Sequence, residues 1–234
     1  MIHIKTQILD RFSAMKLNEK VEIVAKKCIL VPYEPCHVEK YHKWMEDEEI
    51  RRLTGSERLT IEEEYEMQRS WREDEDKLTF IVLSKENELD ETSRMLGDVN
   101  LFISKSTSSE DESEEVTEGE VEIMIAEASG RGKGIGEEAV SLIISWAYKL
   151  ADQNVINLLI SPFQNLSICV FRARITDDNT PSLSLFEKKL GFNRMKHSSA
   201  FKEYTLELPQ ERLISHFSTF LDQNSQICEY KITK

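Results

Sequence analysis

Gly130-Arg131-Gly132-Lys133-Gly134-Ile135-Gly136 places a glycine at every second position, using half of the eight glycines in a chain of 234 residues. Without Cβ atoms, such a turn can aim successive backbone N–H groups at one anion and let it approach closely. Just before it, Gly119-Glu120-Val121-Glu122-Ile123-Met124-Ile125 alternates as a strand does. Just after it, Ile135, Ala139, Leu142, Ile143, Trp146 and Leu150 recur at helical spacing. A helix starting near Ile135 adds its unpaired first amides and the positive end of its dipole. A diphosphate is the natural occupant, with Arg131 and Lys133 supplying flanking charge. Two familiar phosphate patterns fail. A Walker loop needs Ser or Thr after Gly-Lys, but Gly134 follows Lys133. A dinucleotide fingerprint opening on Gly132 and Gly134 needs a glycine where Glu137 stands. What remains is Arg-x-x-Gly-x-Gly, met by Arg131, Gly134 and Gly136. The competing reading is a strand-to-helix connection without a ligand.

Upstream, residues 22–31 read as a strand stopped by Pro32 and Pro35. Residues 37–47 carry Val38, Tyr41 and Met45 at helical spacing, with Trp44 adjoining the stripe. Thr60-Ile61-Glu62-Glu63 is a capping box, opening a helix with Ile61, Tyr65, Gln68 and Trp71 on one face and its end near Asp74. Thr79-Phe80-Ile81-Val82-Leu83 is β-prone. In residues 95–103, Val99, Leu101 and Ile103 share one strand face, and Asp98 and Asn100 the other. Residues 104–118, rich in serine and acids, are expected to form an exposed loop.

Downstream, residues 153–169 carry no charge and resemble an insertion, before the strand Val170-Phe171-Arg172-Ala173-Arg174-Ile175. Asn179-Thr180 precedes Pro181, which suits the first turn of a helix carrying Leu183, Leu185, Phe186 and Leu190, closed by Gly191. Residues 201–208 alternate as a last strand, with Tyr204, Leu206 and Leu208 on one face. The expected organisation is an N-terminal extension over 1–20 without clear period, one domain over 21–208, and a tail over 209–234. That tail's Leu213, Ile214, Phe217, Phe220 and Leu221 suit a packed helix. This order of elements predicts an α/β (α+β) fold, a mixed sheet covered by helices, with a right-handed parallel crossover around the glycine turn.

Composition narrows the partners. Asp and Glu outnumber Lys and Arg 43 to 30, a net charge of −13, which repels nucleic-acid phosphates. The four cysteines show no C-x-x-C spacing, and His37 and His42 stand on different helix faces, so no metal is expected. Polar residues interrupt the uncharged stretch 153–169, so no membrane span is expected. The first residues lack the apolar core of a secretory signal, and a cytoplasmic location follows as the expectation.

Arg131 to Gly136, with the strand before it, resembles the cofactor motif of the GNAT superfamily of N-acetyltransferases. Asn179-Thr180-Pro181-Ser182 followed by Leu185-Phe186-Glu187-Lys188-Lys189-Leu190-Gly191-Phe192 is similar to that superfamily's second signature. The strings Leu30-Val31-Pro32-Tyr33, Glu64-Tyr65-Glu66-Met67-Gln68, Gly97-Asp98-Val99-Asn100-Leu101-Phe102 and Ile125-Ala126-Glu127 resemble the N-acetyltransferase 9-like subfamily. The resemblance covers residues 15–208. It implies a GNAT fold with acetyl-CoA as co-substrate, held in a splay between the fourth and fifth strands, and a protein or peptide amine as acceptor. It also implies that Arg131, Gly132, Lys133, Gly134, Ile135 and Gly136 hold the diphosphate. Amides near Ile123 and Ile125 would bind the thioester carbonyl, and Asn179 and Ser182 the cofactor arm, with Asn179 also suited to cap its helix.

Amine acetylation needs a neutral amine, so a base is required. Glu120 and Glu122 project from the same face of the strand beside the expected thioester, and Glu122, nearer mid-strand, is favoured. Asp98 and Asn100 are candidates for positioning the acceptor. Phe186 stands where much of the superfamily has the tyrosine that protonates the departing thiolate. A thiol with a pKa of about 8.5 leaves tolerably without it, and Tyr204 is one possible substitute. Two alternatives remain open: a catalytically weak acyl-CoA-binding regulatory protein, and an acetyltransferase for small-molecule amines.

Overall fold

The computed structural model describes residues 18–86, 89–107, 115–151 and 168–231. One sheet is built from β1 Val21–Ala25, β2 Ile29–Pro32, β3 Lys77–Leu83, β4 Met95–Thr107, β5 Glu115–Ile125, β6 Ile168–Thr176, β7 Asn193–Ser198, β8 Glu203–Glu207 and β9 Ser225–Glu229. The strands lie in the order β7-β8-β6-β5-β4-β3-β2-β1-β9. Neighbours are antiparallel except β5 and β6, which run parallel. The helices that position the site are α1 Val38–Met45, α2 Glu48–Thr54, α3 Ile61–Glu73, α4 Ile135–Ala151, α5 Thr180–Ser184 and α6 Phe220–Asn224. A parallel pair requires a crossover between its strands, and α4 lies in that connection. The α/β class and mixed sheet agree with the sequence.

Each face of the sheet has its own core. Phe80, Val99, Leu101, Val121, Phe171 and Ala173 pack with α4, whereas Ile81, Met95 and Met124 pack with Tyr41, Trp44 and Met45 of α1. The capping box holds as read: Thr60 Oγ1 accepts from Glu63 N–H at 3.3 Å, and Glu63 Oε2 accepts from Thr60 N–H at 2.7 Å. Helix α5 starts with Pro181 in its first turn and continues as a wider turn, Leu185–Leu190, that Gly191 ends at φ +83°.

Four expectations need correction. Residues 22–31 are a hairpin, because Lys26 and Lys27 break the apolar run and Ala25 N–H closes a turn onto the Cys28 carbonyl. The ends of the expected loop 104–118 are strand, with Lys105 opposite Thr117 and Thr107 opposite Glu115. A ladder of backbone hydrogen bonds carries pairing past the last apolar residue, which side-chain patterning does not register. The tail also reaches further into the fold than a helix alone. Leu213, Phe217 and Leu221 join the α4 core, Leu221 N–H donates to Ser145 Oγ at 3.0 Å, and β9 pairs with β1. Cover from the tail explains why Val140, Ile144 and Ala147 are buried along with the expected stripe. Finally, α2, β7 and β9 were not read from the sequence at all. The expectations for residues 1–17, 108–114 and 153–167 lie outside the described residues.

At Gly97, β4 leaves no room for a side chain beside β5: a Cβ there would stand 1.8 Å from the Met124 carbonyl oxygen. The obstacle is backbone of the strand that carries Glu122, and it cannot swing aside. Gly97→Ala should therefore destabilise the fold by about 3 kcal/mol, read as a lowered denaturant midpoint at unchanged m-value.

Candidate active site

The pair that parts is the fifth and sixth strands, not the fourth and fifth, because residues 22–31 form two strands: β5 and β6 pair through Glu120 opposite Arg172 and no further. Beyond that point residues 121–125 and 173–176 continue without a ladder between them. Alternate amides along a strand point to opposite neighbours, so those of residues 121–125 on the β6 side, in the stretch that holds Ile123 and Ile125, open into the gap.

The glycine turn stands at the end of β5. Gly132 and Gly134 sit at φ +72° and +74°, a region that residues with a Cβ reach only with strain. Arg131 staples the turn to the strand: its Nε donates to the Ile125 carbonyl and its Nη2 to the Ala126 carbonyl, both at 2.9 Å. Among the described residues, the amides of residues 132–137 donate to no other protein group. Open left-handed glycines and a run of free donors at a helix start fit the diphosphate of a nucleotide.

The other half of the site lies on the opposite sheet face, under α1, α2 and α3. A cavity of about 150 Å³ opens there, its walls including Tyr41, Trp71, Asp98, Glu122, Asn179 and Phe186. Thr79, Asn100 and Glu122 are directly opposed on β3, β4 and β5. Thr79 Oγ1 donates to Asn100 Oδ1 at 2.7 Å, and Asn100 Nδ2 donates to Asp98 Oδ2 at 2.6 Å. Asp98 is 2% exposed, and its Oδ1 has no protein partner. Burial pushes its carboxyl up to about 6, against the Asn100 hydrogen bond and the Lys77 charge.

Glu122 is exposed, lining both this cavity and a neighbouring groove, yet partial burial withholds water from its carboxyl. That desolvation, followed by repulsion from Glu120, pushes its carboxyl up to about 7, while Lys77 and Arg174 pull it down. Glu120 is held differently, in an ion pair with the Arg174 guanidinium. Lys77 itself is 5% exposed, and its ammonium stands over the rings of Trp71 and Phe102. Burial lowers it to about 7, opposed by Asp98, Glu122 and Asp74. Two carboxyls of the cavity wall, Asp98 and Glu122, and the neighbouring Lys77 ammonium are thus shifted toward neutrality, a pattern that functional sites share with structural charge networks.

Asp98, Asn100, Glu122, Ile123, Asn179 and Ser182 meet at the cavity, while Arg131, Gly132, Lys133, Gly134, Ile135 and Gly136 form the separate turn. Asn179 caps α5 by accepting from Ser182 N–H at 3.2 Å. Phe186 packs edge-on against Phe192, 5.1 Å between centroids. Tyr204 stacks instead with His197 and Arg194 and is not in the cavity wall; Tyr41 supplies a hydroxyl-bearing ring there. Sequence reading missed Lys77, Tyr41, Trp71 and Arg174 as site residues. The signal for Lys77 is the strand face it shares with Asp98 and Asn100, which requires the strand register, whereas Tyr41 and Trp71 come from helices α1 and α3 packed over that face and Arg174 from β6. It also missed Arg52, whose ion pair with Asp178 at 2.5 Å joins α2 to the turn before α5. Exposed pairs contribute about 0–1 kcal/mol, so this is a weak latch.

One group of potential metal ligands, Cys36, His37 and Glu91, occurs among the described residues. His37 Nδ1 accepts from Glu34 N–H at 3.0 Å, so Nε2 carries the proton donated to Glu91 at 2.8 Å. Tyr230 OH donates to the same carboxylate oxygen at 2.7 Å. Both ring nitrogens are engaged, and the group reads as a hydrogen-bond cluster that ties the start of α1 to the C-terminal strand.

A splayed parallel pair beside a glycine turn with free amides fits a protein that binds a nucleotide diphosphate. Residues 27–193 match the Acetyltransferase (GNAT) domain, and the chain belongs to that family. It is an acetyl-CoA-dependent N-acetyltransferase. An N-acetyltransferase 9-like protein of Caenorhabditis briggsae is 70% identical over 93% of this chain and all of that protein. The Drosophila melanogaster protein named Alpha/beta-tubulin-N-acetyltransferase 9 is 45% identical over 83% of this chain and 90% of its own length. The Homo sapiens protein of that name is 42% identical, covering 92% and 95%. Among solved structures, spermidine N-acetyltransferase from Vibrio cholerae in complex with CoA and spermine shares the fold at a TM-score of 0.55 and 14% identity, covering 85% of this chain and 100% of that one.

Proposed function

We propose that the protein acetylates a protein amine, and specifically the N-terminal α-amine of tubulin chains, with Glu122 as the base. The relatives named for tubulin support the acceptor. The chain's net charge of −13 argues against a nucleic-acid partner. The thiols of Cys28, Cys36 and Cys228 are free, in keeping with a reducing, cytoplasmic compartment. An α-amine titrates near 8 and a lysine near 10.4, so a carboxylate poised at about 7 removes the α-amine's proton with far less difficulty.

In this reading the free amides of residues 132–137 and Lys133 hold the diphosphate of acetyl-CoA, and Asn179 and Ser182 flank its arm. Acetyl-CoA supplies an activated thioester. Amides in the 121–125 stretch stabilise the charge that develops on its carbonyl oxygen. Asp98 Oδ1 and Asn100 orient the incoming amine, Glu122 takes its proton, and the sulfur departs as thiolate. The observation that carries the reading is the raised Glu122 carboxyl at the open end of the β5–β6 gap.

The test is mass spectrometry of tubulin N-terminal peptides after incubation with the protein and acetyl-CoA, beside the same peptides with a blocked α-amine and beside spermidine. Acetyl on the free α-amine alone is expected. Modification confined to lysine side chains, or to spermidine, would refute the proposal.

A further inference from the structure

Outside the family motif, the β1–β2 hairpin lays a lysine across the glycine turn. Glu138, in the first turn of α4 and 6% exposed, accepts through Oε2 from Lys27 N–H at 2.7 Å and from Cys28 N–H at 3.0 Å. A buried carboxylate bonded by two backbone donors docks the hairpin tip on the helix start. From that tip the Lys27 side chain reaches over the turn: a Cβ on Gly134 would lie 2.4 Å from Nζ and 3.5 Å from Cε. The ammonium makes no ion pair among the described residues. Arg131 is partly committed elsewhere, because two of its five N–H donors go to the carbonyls of Ile125 and Ala126. An exposed, unpaired cation standing over free amides is complementary to a dianion between them.

We infer that Lys27 is a cofactor-binding residue whose ammonium contacts the diphosphate of the nucleotide thioester seated on the 132–137 turn. The inference rests on the reading of that turn as the acetyl-CoA site. It adds a contact from an element remote in sequence, so that cofactor binding and the docking of the first hairpin depend on each other.

Titration calorimetry with CoA, with dephospho-CoA (which keeps the diphosphate and lacks the 3′-phosphate) and with phosphate-free pantetheine tests it. Lys27→Ala should weaken CoA and dephospho-CoA alike by about tenfold, and Lys27→Arg should restore most of the affinity. Pantetheine binding and the melting temperature should not move. Equal CoA binding by parent and Lys27→Ala overturns the role of Lys27 alone, as does a loss seen with CoA and absent with dephospho-CoA, or a parallel loss with pantetheine. A folded parent that binds neither nucleotide overturns the turn's assignment, and this inference with it.

Discussion

Glu122→Gln should lower kcat/KM for a peptide α-amine by about 100- to 1000-fold near neutral pH, with little change in acetyl-CoA affinity. Glutamine keeps the shape and hydrogen-bonding reach of the side chain and loses the charge and the ability to accept a proton. The pH profile carries the stronger signature. In the parent, kcat/KM should rise as Glu122 ionises through about 7, and continue rising as the amine deprotonates near 8. The variant should keep only the amine's limb.

Stability separates lost chemistry from lost fold. Because the folded-state pKa of Glu122 is raised above its ordinary 4.5, the stability linked to its protonation is present below about 4.5 and is lost as pH rises through about 7. Removing the charge should therefore leave the melting temperature at pH 8 unchanged or higher. Glu120→Gln supplies the contrast. Its carboxylate already answers Arg174, so its rate should fall less than about threefold. A Glu122→Gln enzyme with nearly parental kcat/KM would remove Glu122 from the chemistry.

The two halves of the site were legible in the sequence to different degrees. The glycine turn was readable because its shape is a backbone matter: glycines at 132, 134 and 136 and a helix start are local facts, and they fold as local facts. The cavity side is assembled from β3, β4, β5, α1 and α3, and its pattern exists only after the strands align. Asp98, Asn100 and Glu122 could be named individually, but Lys77 lies outside the strand read from residue 79, and only pairing sets it opposite Phe102. The same limit explains the hairpin at residues 26–28. Apolar residues on both sides of Lys26-Lys27 satisfy one long strand as well as two short ones, and only pairing decides. Arg131 shows the converse. Its motif position was legible, yet its contact is with carbonyls rather than with the open face of the turn.

Gly134→Glu should weaken acetyl-CoA binding by about 1000-fold while leaving the protein folded. Three effects add. The backbone at Gly134 is held at φ +74°, where a residue with a Cβ costs about 1–2 kcal/mol. The new side chain displaces the Lys27 ammonium, which stands 2.4 Å from the Cβ position. That step is mild, because the far end of a lysine swings freely. The dominant effect is charge: a carboxylate about 4 Å from a phosphate oxygen repels it by about 4 kcal/mol at a partly screened interface, close to 1000-fold in affinity. The introduced carboxylate would also pair with Lys27 and remove the cation from the site, without harm to the free protein. Gly132→Ala is the informative control. Its Cβ meets nothing within 4 Å although φ is +72°, so it carries the backbone strain without the charge and should lose less than about tenfold. Calorimetry on both variants thus separates an anion cradle from a merely flexible connection. If the turn only links β5 to α4, both substitutions will act on the melting temperature alone, and acetyl-CoA will bind the glutamate variant nearly as well as it binds the parent.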